Sequence, residues 1–182
     1  FSAGPQALRA VQENERILLR ASEILNVPPE KVEKTLGILM EDYKETRREK
    51  ERLMEETSKA EAKKYLEASK EIKGLKVITQ SLKGTTVDHL IKVASQIIKT
   101  EPKVVTVLCG INKTARVVVM AGEDAVKRGI DSREIAKGAS SVLGGGGSGK
   151  PGFAQGGGTL TEKALEAMHK AEEIIKNQIG DE

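Results

Sequence analysis

Apolar residues recur at helical spacing over roughly the first seventy positions, then give way to short runs rich in Val and Ile. The helical pattern extends from Pro5 to Lys73 with one break, at Val27-Pro28-Pro29-Glu30. Proline suits the first turn of a helix and disrupts its interior, so a second helix is expected to begin near Pro29. Before the break, Leu8, Val11, Leu18, Ala21 and Leu25 share a face that Ile17 and Ile24 widen. After it, Val32, Leu36, Leu39 and Tyr43 keep the 4-3-4 spacing of a heptad seam. The seam runs on through Thr46, Leu53, Thr57 and Ala60, interrupted by Lys50. From Lys44 to Lys64 nearly every residue is Glu, Lys, Arg or Ala, which favours helix but offers little to bury. The stripe therefore calls for a partner, either the same hairpin of a second chain or another part of a longer protein.

From Gly74 the texture changes. Leu75–Leu82 reads as a strand between Gly74 and Gly84, and Thr85-Thr86-Val87-Asp88 as the start of a helix that reaches Thr100 before Pro102. Val104–Cys109 and Ala115–Met120 are nearly continuous apolar runs, the pattern of strands covered on both faces, joined by a turn at Gly110–Lys113. Helices are expected from Glu123 to Arg128, Asp131 to Leu143 and Thr161 to Ile179. The fold class is thus α+β or α/β. A long, coiled-coil-like helical hairpin (1–73, a dimerisation subdomain) precedes a compact α/β subdomain with a mixed sheet (74–182).

Charge separates the same two pieces. Residues 1–73 carry fifteen Lys/Arg and fifteen Asp/Glu, whereas 74–161 carry twelve against six, a net +6. A basic globular part beside a self-neutralising arm favours a polyanionic partner over a membrane surface. Aromatic residues make up only 2% of the chain, which argues against base stacking on aromatic platforms. No apolar run approaches the roughly 18–20 residues of a membrane span, and no signal peptide is visible. The single cysteine, Cys109, excludes an internal disulfide and a cysteine zinc cage, so a reducing, cytoplasmic setting is expected. The start on Phe1 rather than Met reads as a piece of something longer.

Residues 144–158 contain nine of the chain's 18 glycines. A flexible linker is the plain reading of such a stretch. Lys150-Pro151 and Phe153-Ala154-Gln155 at its centre argue otherwise, because a linker has no use for an apolar ring, and only one helix follows. Gly144–Lys150 fits the first seven positions of a P-loop, but Pro151 stands where magnesium needs a hydroxyl, and the segment follows a helix rather than a strand. What survives is a glycine-rich loop whose unhindered amides, beside a lysine, can donate to phosphate oxygens.

Two glycine clusters enclosing Lys-Pro and Ala-Gln pairs strongly resemble the end of alanyl-tRNA synthetases, with archaeal-type sequences nearest in texture. The resemblance extends over the whole chain. Ser2–Ala7 looks like the segment leaving the editing domain, the helical arm like the C-terminal helical subdomain, and 74–182 like the globular C-terminal subdomain. That globular module is similar to the domain appended to DHH-family phosphoesterases. The resemblance implies a tRNA-binding and dimer-forming appendage of an alanine–tRNA ligase, holding tRNA, by implication at its elbow, for aminoacylation and editing sites upstream in the same chain. Implied partners are alanine-specific tRNA, a second copy of the chain and those upstream domains. ATP, magnesium and zinc are implied for the full-length enzyme and no cofactor for this piece. The tRNA-binding candidates are Gly144, Gly145, Gly146, Gly147, Lys150, Gln155, Gly156, Lys113, Lys127, Arg128 and Arg133. Arg116 is less secure, because its strand has the pattern of a buried one. Candidate dimer contacts are Leu18, Ile24, Val32, Leu36, Leu39, Tyr43 and Leu53.

No catalytic residue is assigned. His89 and His169 do not form a paired zinc-binding motif, Asp88-His89-Leu90 departs from the phosphoesterase Asp-His-His at its third position, and Cys109 reads as a small buried hydrophobe. Two alternatives stand beside the ligase reading: the tail of a free-standing alanyl-tRNA editing protein, and a phosphoesterase-like module.

Overall fold

A computed structural model describes residues 4–179, except for the side chain of Pro5; the expectations placed on Phe1, Ser2 and Ala3 lie outside the described residues. The chain divides into two compact units, Phe1–Leu53 and Met54–Glu182.

In the first unit, α1 (Pro5–Leu25) opens on a proline and closes on Asn26, which takes the left-handed conformation and returns its amide to the Glu23 and Ser22 carbonyls. The Ser22 hydroxyl donates to the Val27 carbonyl, fixing the exit from the helix. A single 3₁₀ turn, Pro29–Lys31, leads into α2 (Val32–Glu67), so the double proline acts as a helix start. The apolar positions of both helices remain in solvent: Leu18 is 42% exposed, Ile24 83%, Leu36 46%, Leu39 47%, Tyr43 62% and Leu53 49%. Val32 does not share that exposure and is buried within its own protomer.

The second unit is a six-stranded mixed sheet in the order β1-β2-β3-β4-β6-β5. Its elements are β1 (Lys70–Ile72), β2 (Leu75–Lys83), α3 (Val87–Thr100), β3 (Val104–Ile111), β4 (Ala115–Ala121), α4 (Glu123–Lys127), α5 (Ser132–Val142), β5 (Gly146–Lys150), β6 (Phe153–Gly158) and α6 (Ala164–Gln178). Only β2 and β3 run parallel, as the crossover through α3 requires. Because side chains alternate along each strand, the sheet has two cores. Val105, Val107, Cys109, Val117, Val119 and Ala154 face α5 and α6, whereas Ile78, Leu108, Val118 and Met120 meet α3 and the last turns of α2.

The structure corrects two expectations. The helical reading that continued to Lys73 stops at Glu67, because Lys70–Ile72 pairs antiparallel with β2 across a two-residue turn. In that turn Lys73 and Gly74 both have positive φ, as a tight hairpin requires. The glycine-rich segment 144–158 is not a loop. It forms the β5–β6 hairpin, with β6 paired to β4 and β5 as the sheet edge.

Candidate functional site

Glycine is required in this hairpin because α5 lies directly on it. A Cβ at Gly147 would stand 2.8 Å from the Ala136 carbonyl carbon, and one at Gly156 would collide with the Ser140 hydroxyl. The chain enters the hairpin through a Schellman turn, in which the Gly144 amide donates to the Ser141 carbonyl and the Gly145 amide to the Ser140 carbonyl. These two amides are thus spent on closing α5, which removes them from the expected phosphate cradle.

The other face of the hairpin is open. Gln155 is paired opposite Ser148 in the β5–β6 register, and both are exposed. They line a groove of about 390 Å³ together with Val87, Arg116, Gly146 and Gly156. Arg116 is the one exposed residue of β4, so the strand with the most buried-looking sequence presents its cation to solvent. Phe153 is half-buried against the second core, which anchors the near end of β6. Lys150, directly opposite Phe153, is exposed at the hairpin tip. The ladder separates Arg116 from Lys150 by four strand positions, about 13 Å.

The remaining nominated cations do not gather there. Lys113 is exposed in the β3–β4 turn, at the Arg116 end of the sheet. Lys127 pairs with Asp124 at 3.3 Å. Arg133 pairs with Asp131 at 2.5 Å, and its hydrogen bond holds that carboxyl below the ordinary carboxylate range. Arg128 donates to the Lys73 and Gly74 carbonyls at 2.9 and 3.2 Å, so it clamps the β1–β2 turn to the end of α4. Arg128→Ala is expected to lower stability by about 1 kcal/mol, read as a lower melting temperature. An unchanged melting temperature would remove the clamp.

Sequence reasoning passed over Ser148 and Val87. Ser148 had a signal, since it stands two positions from Lys150 and shares its strand face; Val87 had none.

Two groups outside the groove, His89 and Cys109, are held within the fold. The His89 backbone amide donates to the Thr86 hydroxyl that caps α3, while its Nε2 lies 3.0 Å from the Glu61 carboxylate. Burial pushes the Cys109 thiol up to about 11. Among the described residues no group of three or more His, Cys, Asp or Glu could hold a metal ion. Among them, too, no helix is long and apolar enough to cross a membrane.

Comparison with known proteins follows the same outline. Residues 74–177 match the family model described as the DHHA1 domain. Over 176 residues, 97% of this chain, the sequence is 36% identical to an alanine–tRNA ligase of Methanosarcina mazei, of which it covers 19%. It is 32% identical to that of Bacillus pumilus, covering 96% of this chain and 20% of the relative. The chain therefore spans about a fifth of the length of the curated relatives it matches. The crystal structure of the C-Ala domain from Aquifex aeolicus alanyl-tRNA synthetase shares the fold, with a TM-score of 0.55 at 20% identity, covering 59% of this chain and 97% of that one.

Proposed function

Because this chain belongs to the DHHA1 domain family, we propose that it is the tRNA-binding and dimer-forming part of an alanine–tRNA ligase. The observation that carries this reading is the alignment with such ligases from end to end, helical arm included, rather than over the domain alone. In this reading the enzyme is a cytoplasmic homodimer. ATP, magnesium and zinc are held by upstream parts of the chain, and these residues position tRNA rather than transform it.

The two units divide the work. The arm's exposed leucines and Tyr43 pair two protomers; among the described residues these apolar side chains are left exposed. The globular unit grips tRNA at its elbow through the open face of the glycine hairpin, where Arg116, Lys150 and nearby Lys113 are exposed. Cations meeting phosphates give affinity without reading bases, which suits holding a folded RNA by its backbone. Tethering the tRNA in this way raises its local concentration at the distant reacting centres.

Salt titration tests the reading. Arg116→Glu with Lys150→Glu is expected to weaken tRNA binding by about tenfold or more at low salt. The same change should reduce the slope of log affinity against log salt by about 1.5–2, the share of two phosphate contacts. An unchanged slope would move the tRNA surface away from the hairpin, and a parent chain that ignores tRNA in dilute buffer would end the reading altogether.

A further inference from the structure

The groove on the open hairpin face contains two polar groups that phosphate binding leaves unused. Ser148 and Gln155 are neutral, stand opposite one another across the β5–β6 ladder, and make no side-chain hydrogen bond among the described residues. Together they offer donors and acceptors side by side: one hydroxyl that both donates and accepts, and an amide with two N–H groups and a carbonyl. A phosphate, which accepts only, would use the donors of this pair and leave its acceptors idle, whereas a neutral hydroxyl, which both donates and accepts, engages both. The surroundings suit a sugar. Gly146 and Gly156 leave backbone without side chains, a Cβ at Gly146 would point into open space, and Val87 supplies an apolar wall. Arg116 lines the same groove and is exposed, a cation available to a flanking phosphate.

We propose that Ser148 and Gln155 bind a ribose 2′-hydroxyl of the RNA held on this face, so that the groove is where the chain tells RNA from DNA. The 2′-hydroxyl is the group that separates the two nucleic acids at a given site. This inference rests on the tRNA reading above and adds to it a recognised group and two specificity residues.

The test compares three probes with the 182-residue chain at one salt concentration. The first is an unmodified RNA elbow stem-loop, the second its 2′-fluoro form, and the third the DNA of the same sequence. The 2′-fluoro form keeps RNA-like pucker and phosphate spacing but cannot donate a hydrogen bond. Wild-type chain is expected to bind the unmodified RNA about tenfold more tightly than the 2′-fluoro form, the worth of one to two hydrogen bonds. In Ser148→Ala with Gln155→Ala the preference should shrink to less than about twofold, while the salt slope stays as it was because no charge has been removed. A wild-type chain indifferent to the fluoro substitution, or a double variant that keeps the full preference, overturns the proposal and leaves tRNA binding standing. Failure to bind all three probes would instead bring down the tRNA reading on which it rests. The wild-type comparison needs no variant to fold, so the outcome is readable in either case.

Discussion

Leu36→Glu combined with Leu39→Glu is expected to leave the chain monomeric at micromolar concentrations where the parent sediments as a dimer. Both leucines lie on the exposed seam of α2, 46% and 47% accessible, with Tyr43 one turn further at 62%. Covering a leucine side chain is worth about 1.5–3 kcal/mol. In a two-fold dimer each substitution counts twice, and because about half of each side chain is already covered, four leucines contribute at least about 3 kcal/mol, a change in dissociation constant of about a hundredfold or more. Four carboxylates brought into one interface add repulsion to that loss. Helix content should be unaffected, because glutamate is a good helix former and these positions belong to neither core. Sedimentation velocity decides the matter: a parent chain that runs as a monomer, or a variant that still runs as a dimer, removes the seam from the interface. Val32 is unsuited to the same test. It continues the heptad spacing in sequence but is buried inside its own protomer, so changing it would disturb the helix start as well as any partner.

That contrast shows what sequence can carry. Heptad spacing identifies a face, and Pro29 marks where the helix begins, because both follow from helix geometry and from the ring of proline. Spacing does not say whether a residue near a turn is covered by its own chain. The strands β3 and β4 were legible for the same kind of reason: runs such as Val104–Cys109 leave no polar face, which only a doubly covered strand tolerates. Arg116 shows the limit of that rule. It sits near the start of β4 beside glycine partners, and its side chain extends over Gly157, which has no side chain to cover it. Arg128 and Arg133 looked like members of a basic patch because a sequence lists charges without their partners. The structure assigns one to a backbone clamp and the other to Asp131.

The β5–β6 hairpin was the least legible element, and its physical cause sets up the second large effect. Strands announce themselves by alternation and by β-branched side chains, and a run of glycine has neither. Here glycine in a strand marks a close approach of another backbone rather than freedom to move. Gly156→Val is therefore expected to destabilise the chain by about 3 kcal/mol, the upper end of overpacking costs. For a protein of this size that corresponds to a melting temperature lower by about 6–12 °C. The new side chain would collide with the Ser140 hydroxyl and stand within 2.8 Å of the Gly147 Cα, so it cannot be accommodated without lifting α5 from the sheet. Gly146→Ala serves as the control, since a Cβ there meets nothing within 4 Å and should change stability by less than about 0.5 kcal/mol. The pair separates two reasons for the same glycines. If they were present to leave amides free for phosphate, the two substitutions would have similar, small effects on folding and would differ only in binding. If they are present so that a helix can rest on bare backbone, thermal melts will separate Gly156 from Gly146 before any RNA is added. Equal melting temperatures for the two variants would refute the packing account and restore the hairpin to the loop that its sequence resembles.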